Sequence, residues 1–232
     1  SSAPEVEGAV TPATLLRAYA AGVFPMAEGR DDPRVHWVDP RRRGVLPMEG
    51  PRISRSLARR IRRGGFEVAA DRDFAGVLDA CAARDETWIN APIRDLYLEL
   101  HRMGHAHSVE VRRGDALIGG IYGVALGAAF FGESMVSGAA DGSKLALVFL
   151  MQRLRAGGFT LFDTQFLTPH LASLGAVEIP RADYRRRLAA ALERAATFDP
   201  PGWVPDYSVA PSPAGGAGAA SAGSTQRSGQ TS

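Results

Sequence analysis

Two strand-patterned stretches, residues 108–111 and 116–125, flank the turn Arg113-Gly114-Asp115, and a third, residues 128–131, follows closely. A hairpin of this kind joined to a third strand commits the chain to a sheet with at least one face buried. The next stretch changes period. Leu145, Leu147, Val148, Leu150, Met151 and Leu154 fall at helical spacing between Ser143 and Gly157, and a fourth strand is expected over residues 159–165. Strand and helix patterns that alternate in this way predict an α/β (α+β) fold, a central sheet flanked by helices.

The flanking sequence supplies the other elements. Thr11-Pro12 opens a helix that Gly22 closes, and Ser54 or Ser56 caps a helix ending at Gly64-Gly65. Residues 66–70 alternate as a strand. Asp73 and Asn90 cap two further helices, Thr168-Pro169 starts a short one and residues 182–196 form the last. Residues 31–40 are expected as a loop. A composition change near residue 64 suggests a small N-terminal domain, 1–63, followed by a larger domain, 64–207. From 208 to 232 the chain is Pro, Ala, Gly and Ser with almost no large apolar side chain, and is expected to be disordered.

Several classes of function are disfavoured. The longest apolar run, 145–151, is seven residues, far short of a membrane span, and residues 1–10 lack the layout of a signal peptide. A cytoplasmic protein with no membrane partner is expected. The lone Cys81 excludes an internal disulfide. His101, His105 and His107 lack an acid to complete a ligand set, so no metal is expected. Gly119-Gly120-Ile121-Tyr122-Gly123 is not a dinucleotide fingerprint and fits close strand packing better; Gly138–Lys144 is not a phosphate loop. Gly132-Glu133-Ser134-Met135-Val136 lacks the second glycine of a hydrolase elbow, although Ser134, Asp163 and His170 can be written in a triad order.

Charge is unevenly placed. Net charge is +2, but residues 41–63 hold nine arginines and one acid, Glu49. A local excess of about eight positive charges suits a polyanion, with phosphates as the natural ligand. Glu133, Asp163 and Gln165 lie in apolar sequence, where an unpaired charge is costly. Asp163 and Gln165, two apart on a strand, should leave one face together, and a carboxylate beside an amide suits work on an amine nucleophile. The competing reading of Asp163 is a buried acid satisfied by nearby donors; Glu133 reads either as a carboxylate that binds a cationic substrate group or as a strand-end carboxylate bonded to a turn.

The chain resembles the bacterial leucyl/phenylalanyl-tRNA–protein transferases. The strings that carry the resemblance are Leu15-Leu16-Arg17-Ala18-Tyr19 with Gly22-Val23-Phe24-Pro25; Ile53-Ser54-Arg55-Ser56; Thr87-Trp88-Ile89; Gly104-His105-Ala106-His107-Ser108-Val109-Glu110-Val111; Gly119-Gly120-Ile121-Tyr122-Gly123; Gly132-Glu133-Ser134-Met135; Asp163-Thr164-Gln165; and Ser173-Leu174-Gly175-Ala176. They run in family order over roughly residues 12–185.

The resemblance implies transfer of Leu or Phe from Leu-tRNA or Phe-tRNA to an N-terminal Arg or Lys of an acceptor protein, marking it for degradation; Met is expected as a slower third, because apolar pockets separate similar side chains weakly. It implies a GNAT-like acyltransferase catalytic domain, no cofactor and no metal. Asp163 and Gln165 match the pair that activates the amine, and Glu133 an active-site glutamate. The apolar side-chain pocket is expected near Trp88, Ile121, Phe130, Met135, Leu150 and Phe162. Arg55, Arg59, Arg60, Arg62 and Arg63 match the tRNA-binding segment. Met26 and Trp88 match the place where the 3′-terminal adenosine is covered, and Met26 replaces a Trp that some members carry there.

Overall fold

The computed structural model describes residues 10–27, 31, 34–83, 87 and 89–213. Helix α1 (Pro12–Ala20) leads to strands β1 (Phe24–Met26), β2 (His36–Val38) and β3 (Arg42–Leu46), then α2 (Arg55–Arg63), β4 (Glu67–Ala70), α3 (Phe74–Ala82) and α4 (Ala91–Arg102). Strands β5 (Ala106–Arg113), β6 (Ala116–Leu126) and β7 (Ala129–Ser137) follow. The chain continues through α5 (Gly142–Ala156), β8 (Leu161–Gln165), α6 (Pro169–Ser173), β9 (Val177–Pro180) and α7 (Arg181–Leu192). Local chemistry sets the helix starts: Thr11, Ser54, Asp73, Asn90 and Thr168 each accept a backbone N–H of the first turn through the side chain.

Seven strands form one sheet in the order β4-β5-β6-β7-β8-β3-β9, and β1 pairs with β2 beside it. The fold is α/β, as the alternation of periods predicts. All neighbours in the large sheet are antiparallel except β7 and β8, which are parallel and joined through α5. Two apolar layers cover its faces. One draws on α1, α3, α4 and α7; the other on α2 and α5. Helix α5 is buried along most of its length, from Leu145 to Met151 without a break, as its apolar run requires.

Three elements depart from the sequence expectation. Strand β2 lies in the expected loop and β9 in a stretch with no expected element; both are short and owe their existence to a partner strand. Strand β7 runs six residues beyond Phe131, so Glu133 and Met135 belong to it. The expected division at residue 64 cuts across the sheet, since β3 precedes it and lies between β8 and β9. Residues 208–213, placed by composition in a disordered tail, are held to α2 and the turn before it. Ser212 Oγ accepts from Ile53 N at 2.8 Å, and Arg62 Nη1 donates to Val209 O at 2.9 Å. The rest of that tail lies outside the described residues. No helix among the described residues is long and apolar enough to cross a membrane.

Among the described residues, three β-bulges interrupt the sheet: one, at Ile118 of β6, lies opposite Val111 and Arg112, and the other two shape the region of Glu133 and Gln165. Opposite Tyr122 and Gly123 stand Ser134 and Gly132, which leaves Glu133 as the extra residue of β7. Opposite Gly44 and Val45 stand Gln165 and Asp163, which leaves Thr164 as the extra residue of β8. The bulges at Glu133 and Thr164 each face a glycine. A Cβ on Gly123 would lie 2.3 Å from Phe131 O, and one on Gly44 2.6 Å from the Phe166 carbonyl group and Thr164 Oγ1, so neither position has room for a side chain.

Candidate active site

The parallel pairing of β7 with β8 stops at Phe131 and Asp163, although β7 continues to Ser137. A pocket of about 530 Å³ opens beyond that point. Its polar part includes Glu133, Ser134, Thr87, Thr164 and Gln165; its apolar part includes Ile121, Met135, Leu147 and Phe162. The size and mixed lining suit a small organic group held beside a few oriented polar atoms.

The bulge turns Glu133 toward α1 and α4. Tyr19 Oη donates to Glu133 Oε1, Tyr19 and Tyr97 share a hydroxyl contact of 2.6 Å, and Gln165 Nε2 donates to Glu133 Oε2 at 3.0 Å. Burial pushes the Glu133 carboxyl up to about 7, while the Tyr19, Gln165 and Tyr97 donors pull it back and the Asp163 charge adds to the rise. Both phenols are themselves pushed well above their usual range by burial, so they stay protonated and serve as donors. A carboxylate can only accept. The Gln165 amide therefore meets it with its NH₂ group, and its carbonyl oxygen is left for another donor.

Asp163 has a different environment. It is fully buried and accepts a forked pair from Arg43, with Nε–Oδ1 2.9 Å and Nη2–Oδ2 2.6 Å. Tyr184 Oη donates to Oδ2 at 2.7 Å and the Gln165 backbone N–H to Oδ1 at 2.7 Å. Arg43 is also buried; its Nη1 donates to Gly22 O at 2.8 Å, and its guanidinium lies between the rings of Phe24 and Tyr184, at 4.5 and 4.3 Å. The bulge at Thr164 and the positive φ of Gln165, 66°, break strand alternation, so the two side chains do not leave one face. Asp163 turns inward and Gln165 meets Glu133. The bond from Asp163 to the Gln165 N–H is a local clamp on that unusual conformation.

The other expected residues divide. Ile121, Met135, Phe162 and Met26 line the pocket. Phe130 and Leu150 do not; they are buried, Phe130 stacking on Phe162 and Phe198, and Leu147, one turn before Leu150, lines the pocket instead. Trp88 lies outside the described residues. Arg55, Arg59, Arg62 and Arg63 are exposed on α2, whose Leu57, Ala58 and Ile61 are buried. Arg60 is half-buried, with its guanidinium over Phe66 and Nη1 on Gly64 O. The Arg43–Asp163 pair removes one charge from the arginine cluster.

Residue types alone do not single out Tyr19, Tyr97, Arg43 and Tyr184. Tyr19 sits on the apolar face of α1, where a hydroxyl is the one available signal, and Arg43 is masked by its basic neighbours. The triad order of Ser134, Asp163 and His170 has no geometric counterpart, because Arg43 and Tyr184 engage Asp163. Backbone carbonyls accept from His101 and face His105, and His107 contacts Asp71. Among the described residues no group of three or more His, Cys, Asp or Glu side chains is arranged to hold a metal ion.

Residues 45–189 match the model of leucyl/phenylalanyl-tRNA protein transferase, and residues 8–41 match the model of its N-terminal domain. The chain belongs to the leucyl/phenylalanyl-tRNA protein transferase family. It is 69% identical to the leucyl/phenylalanyl-tRNA–protein transferase of Cereibacter sphaeroides over 85% of this chain and 92% of that one. It is 67% identical to the enzyme of the same name from Ruegeria pomeroyi over 81% and 89% of the two chains. A crystal structure of FemX overlaps 71% of this chain and 61% of its own at a TM-score of 0.43 with 14% identity. The two transferase-family models meet between residues 41 and 45, just ahead of or within β3, so this division leaves almost all of the large sheet in the second part.

Proposed function

We propose that this chain transfers a leucyl or phenylalanyl group from aminoacyl-tRNA to the α-amine of an N-terminal Arg or Lys of an acceptor protein, in the cytoplasm, so marking it for degradation. Methionyl-tRNA serves more slowly, because apolar pockets separate similar side chains weakly. The observation that carries this reading is the Glu133–Gln165 pair set beside the apolar wall of Ile121, Met135, Leu147 and Phe162.

The donor ester is already activated, so the work left is to aim a neutral amine at a carbonyl carbon. The acyl side chain lies against the apolar wall. The amine N–H is accepted by Gln165 Oε1, the oxygen that Glu133 leaves free. The amine nitrogen attacks the ester carbonyl, the C–N bond forms, the ester C–O bond breaks, and the amine's proton ends on the departing ribose oxygen. Gln165 orients and does not keep a proton, since an amide is too weak a base. Asp163 acts as a positioning residue through the Gln165 N–H. The exposed arginines of α2 take the phosphates of the tRNA.

The test is transfer of radiolabelled Leu from Leu-tRNA to a peptide beginning with Arg. Labelling without coenzyme A supports the reading. Binding of tRNA with no labelling, or labelling only from acetyl-coenzyme A, overturns it.

A further inference from the structure

Phe166 follows Gln165 directly, lines the same pocket, and is 41% exposed, unusual for a large aromatic beside a reactive site. Its position is fixed from several sides. Phe166 N donates to Thr164 O at 2.8 Å, and Thr164 Oγ1 donates to Phe166 O at 3.3 Å. Gly44 fits against its carbonyl with no room for a Cβ. Its ring stands edge-to-face with Phe24, centroids 5.4 Å apart, and the Arg43 guanidinium lies over Phe24.

Among the described residues lining the pocket, Glu133 is the one acid. It is 8% exposed and engaged by Tyr19 and Gln165. A cationic side chain entering with the acceptor therefore meets no free carboxylate from these residues. It meets an aromatic ring one residue along from the amide that receives the α-amine. A ring face attracts guanidinium and ammonium groups through its quadrupole.

We propose that the Phe166 ring is the recognition surface for the cationic side chain of the acceptor's N-terminal residue. Gln165 takes the α-amine and Phe166 the Arg or Lys side chain of the same residue. The proposal rests on the reading of the acceptor given above.

The experiment measures KM for peptides beginning with Arg, Lys or Leu, at saturating leucyl-tRNA, for the wild type, Phe166→Leu and Phe166→Trp. A parallel series replaces Phe166 with mono-, di- and trifluorinated phenylalanine, which drains the ring quadrupole with little change of shape. Loss of a cation–π contact predicts about a 2- to 5-fold rise in KM for Arg and Lys peptides with Phe166→Leu. The rise should come in steps along the fluorinated series, and Phe166→Trp should hold or lower KM. KM for leucyl-tRNA is measured for the same enzymes at saturating Arg peptide, and a rise there instead would assign the ring to the tRNA end. No change along the fluorinated series would make the ring a packing element. Either result overturns the proposal. If the wild type labels no Arg or Lys peptide, or labels the Leu peptide equally well, the acceptor reading itself fails, and that is seen before any variant is made.

Discussion

Replacing Tyr19 with Phe removes one hydroxyl and tests how Glu133 governs Gln165. The phenol is buried and donates to Glu133 Oε1, while Gln165 Nε2 occupies Oε2. The Glu133 carboxyl stands at about 7 because burial outweighs its donors. A hydrogen bond to a charged group contributes about 1.5–3 kcal/mol. At about 1.4 kcal/mol per pH unit, its loss raises the carboxyl by about one to two units. Below that value Glu133 carries a proton and can donate to the Gln165 carbonyl, which turns the amide and removes the oxygen that we propose receives the amine. The acid limb of the rate profile should therefore move from near pH 7 to about 8–9, with turnover at pH 7.5 down by about 3- to 25-fold and recovered in base. Tyr97 also reaches Glu133, so the double variant Tyr19→Phe/Tyr97→Phe should move the limb further. The assay is single-turnover transfer to an Arg peptide across pH 6–10. The peptide amine also titrates, at about 7.7–8, but equally for both enzymes, so the difference reports the protein. A limb that stays in place while the rate falls equally at every pH would refute the reasoning.

The raised Glu133 carboxyl also sets a stability trend. Its contribution is fully present below about 4.5, the unfolded value, and is lost as pH rises through about 7, an effect of about 3 kcal/mol at most that Glu133→Gln should remove from chemical-denaturation curves across that window. Asp163→Ala leaves Arg43 buried without its carboxylate and should cost about 3–5 kcal/mol, read as a drop in Tm of about 6–20 °C, so loss of turnover there accompanies loss of fold. Arg55→Ala and Arg59→Ala should each weaken tRNA binding and flatten the log–log salt slope by about 0.9; an unchanged slope would remove those residues from the tRNA surface. Gly123→Ala forces a Cβ against Phe131 O and should impair transfer more than its effect on Tm accounts for, because the bulge that aims Glu133 is displaced.

Short-range signals made much of this protein legible. The caps at Thr11, Ser54, Asp73, Asn90 and Thr168 act within three residues, and the hairpin turn at Gly114 joins neighbouring strands; such features need no knowledge of the rest of the chain. The polar character of Glu133, Asp163 and Gln165 in apolar sequence singles these residues out as candidates, and Glu133 and Gln165 line the pocket.

What the linear order could not carry is the identity of each side chain's partner. Strand alternation puts Asp163 and Gln165 on one face, but pairing with β3 and the tight fit of Gly44 expel Thr164 as a bulge and turn Gln165 to φ 66°. Arg43 reads as one of nine arginines until β3 lies between β8 and β9 and sets it against Asp163. Tyr19 reads as core until the bulge of β7 brings Glu133 to its hydroxyl. The sequence by itself determined the helices, the longer strands, the α/β class and the marked residues, because those depend on local periodicity and capping, whereas β2, β9 and the far end of β7 exist through their partner strands. The tertiary structure alone decided that Asp163 is sealed and that Glu133 and Gln165 meet at the pocket, because burial and strand register are properties of residues far apart in the chain.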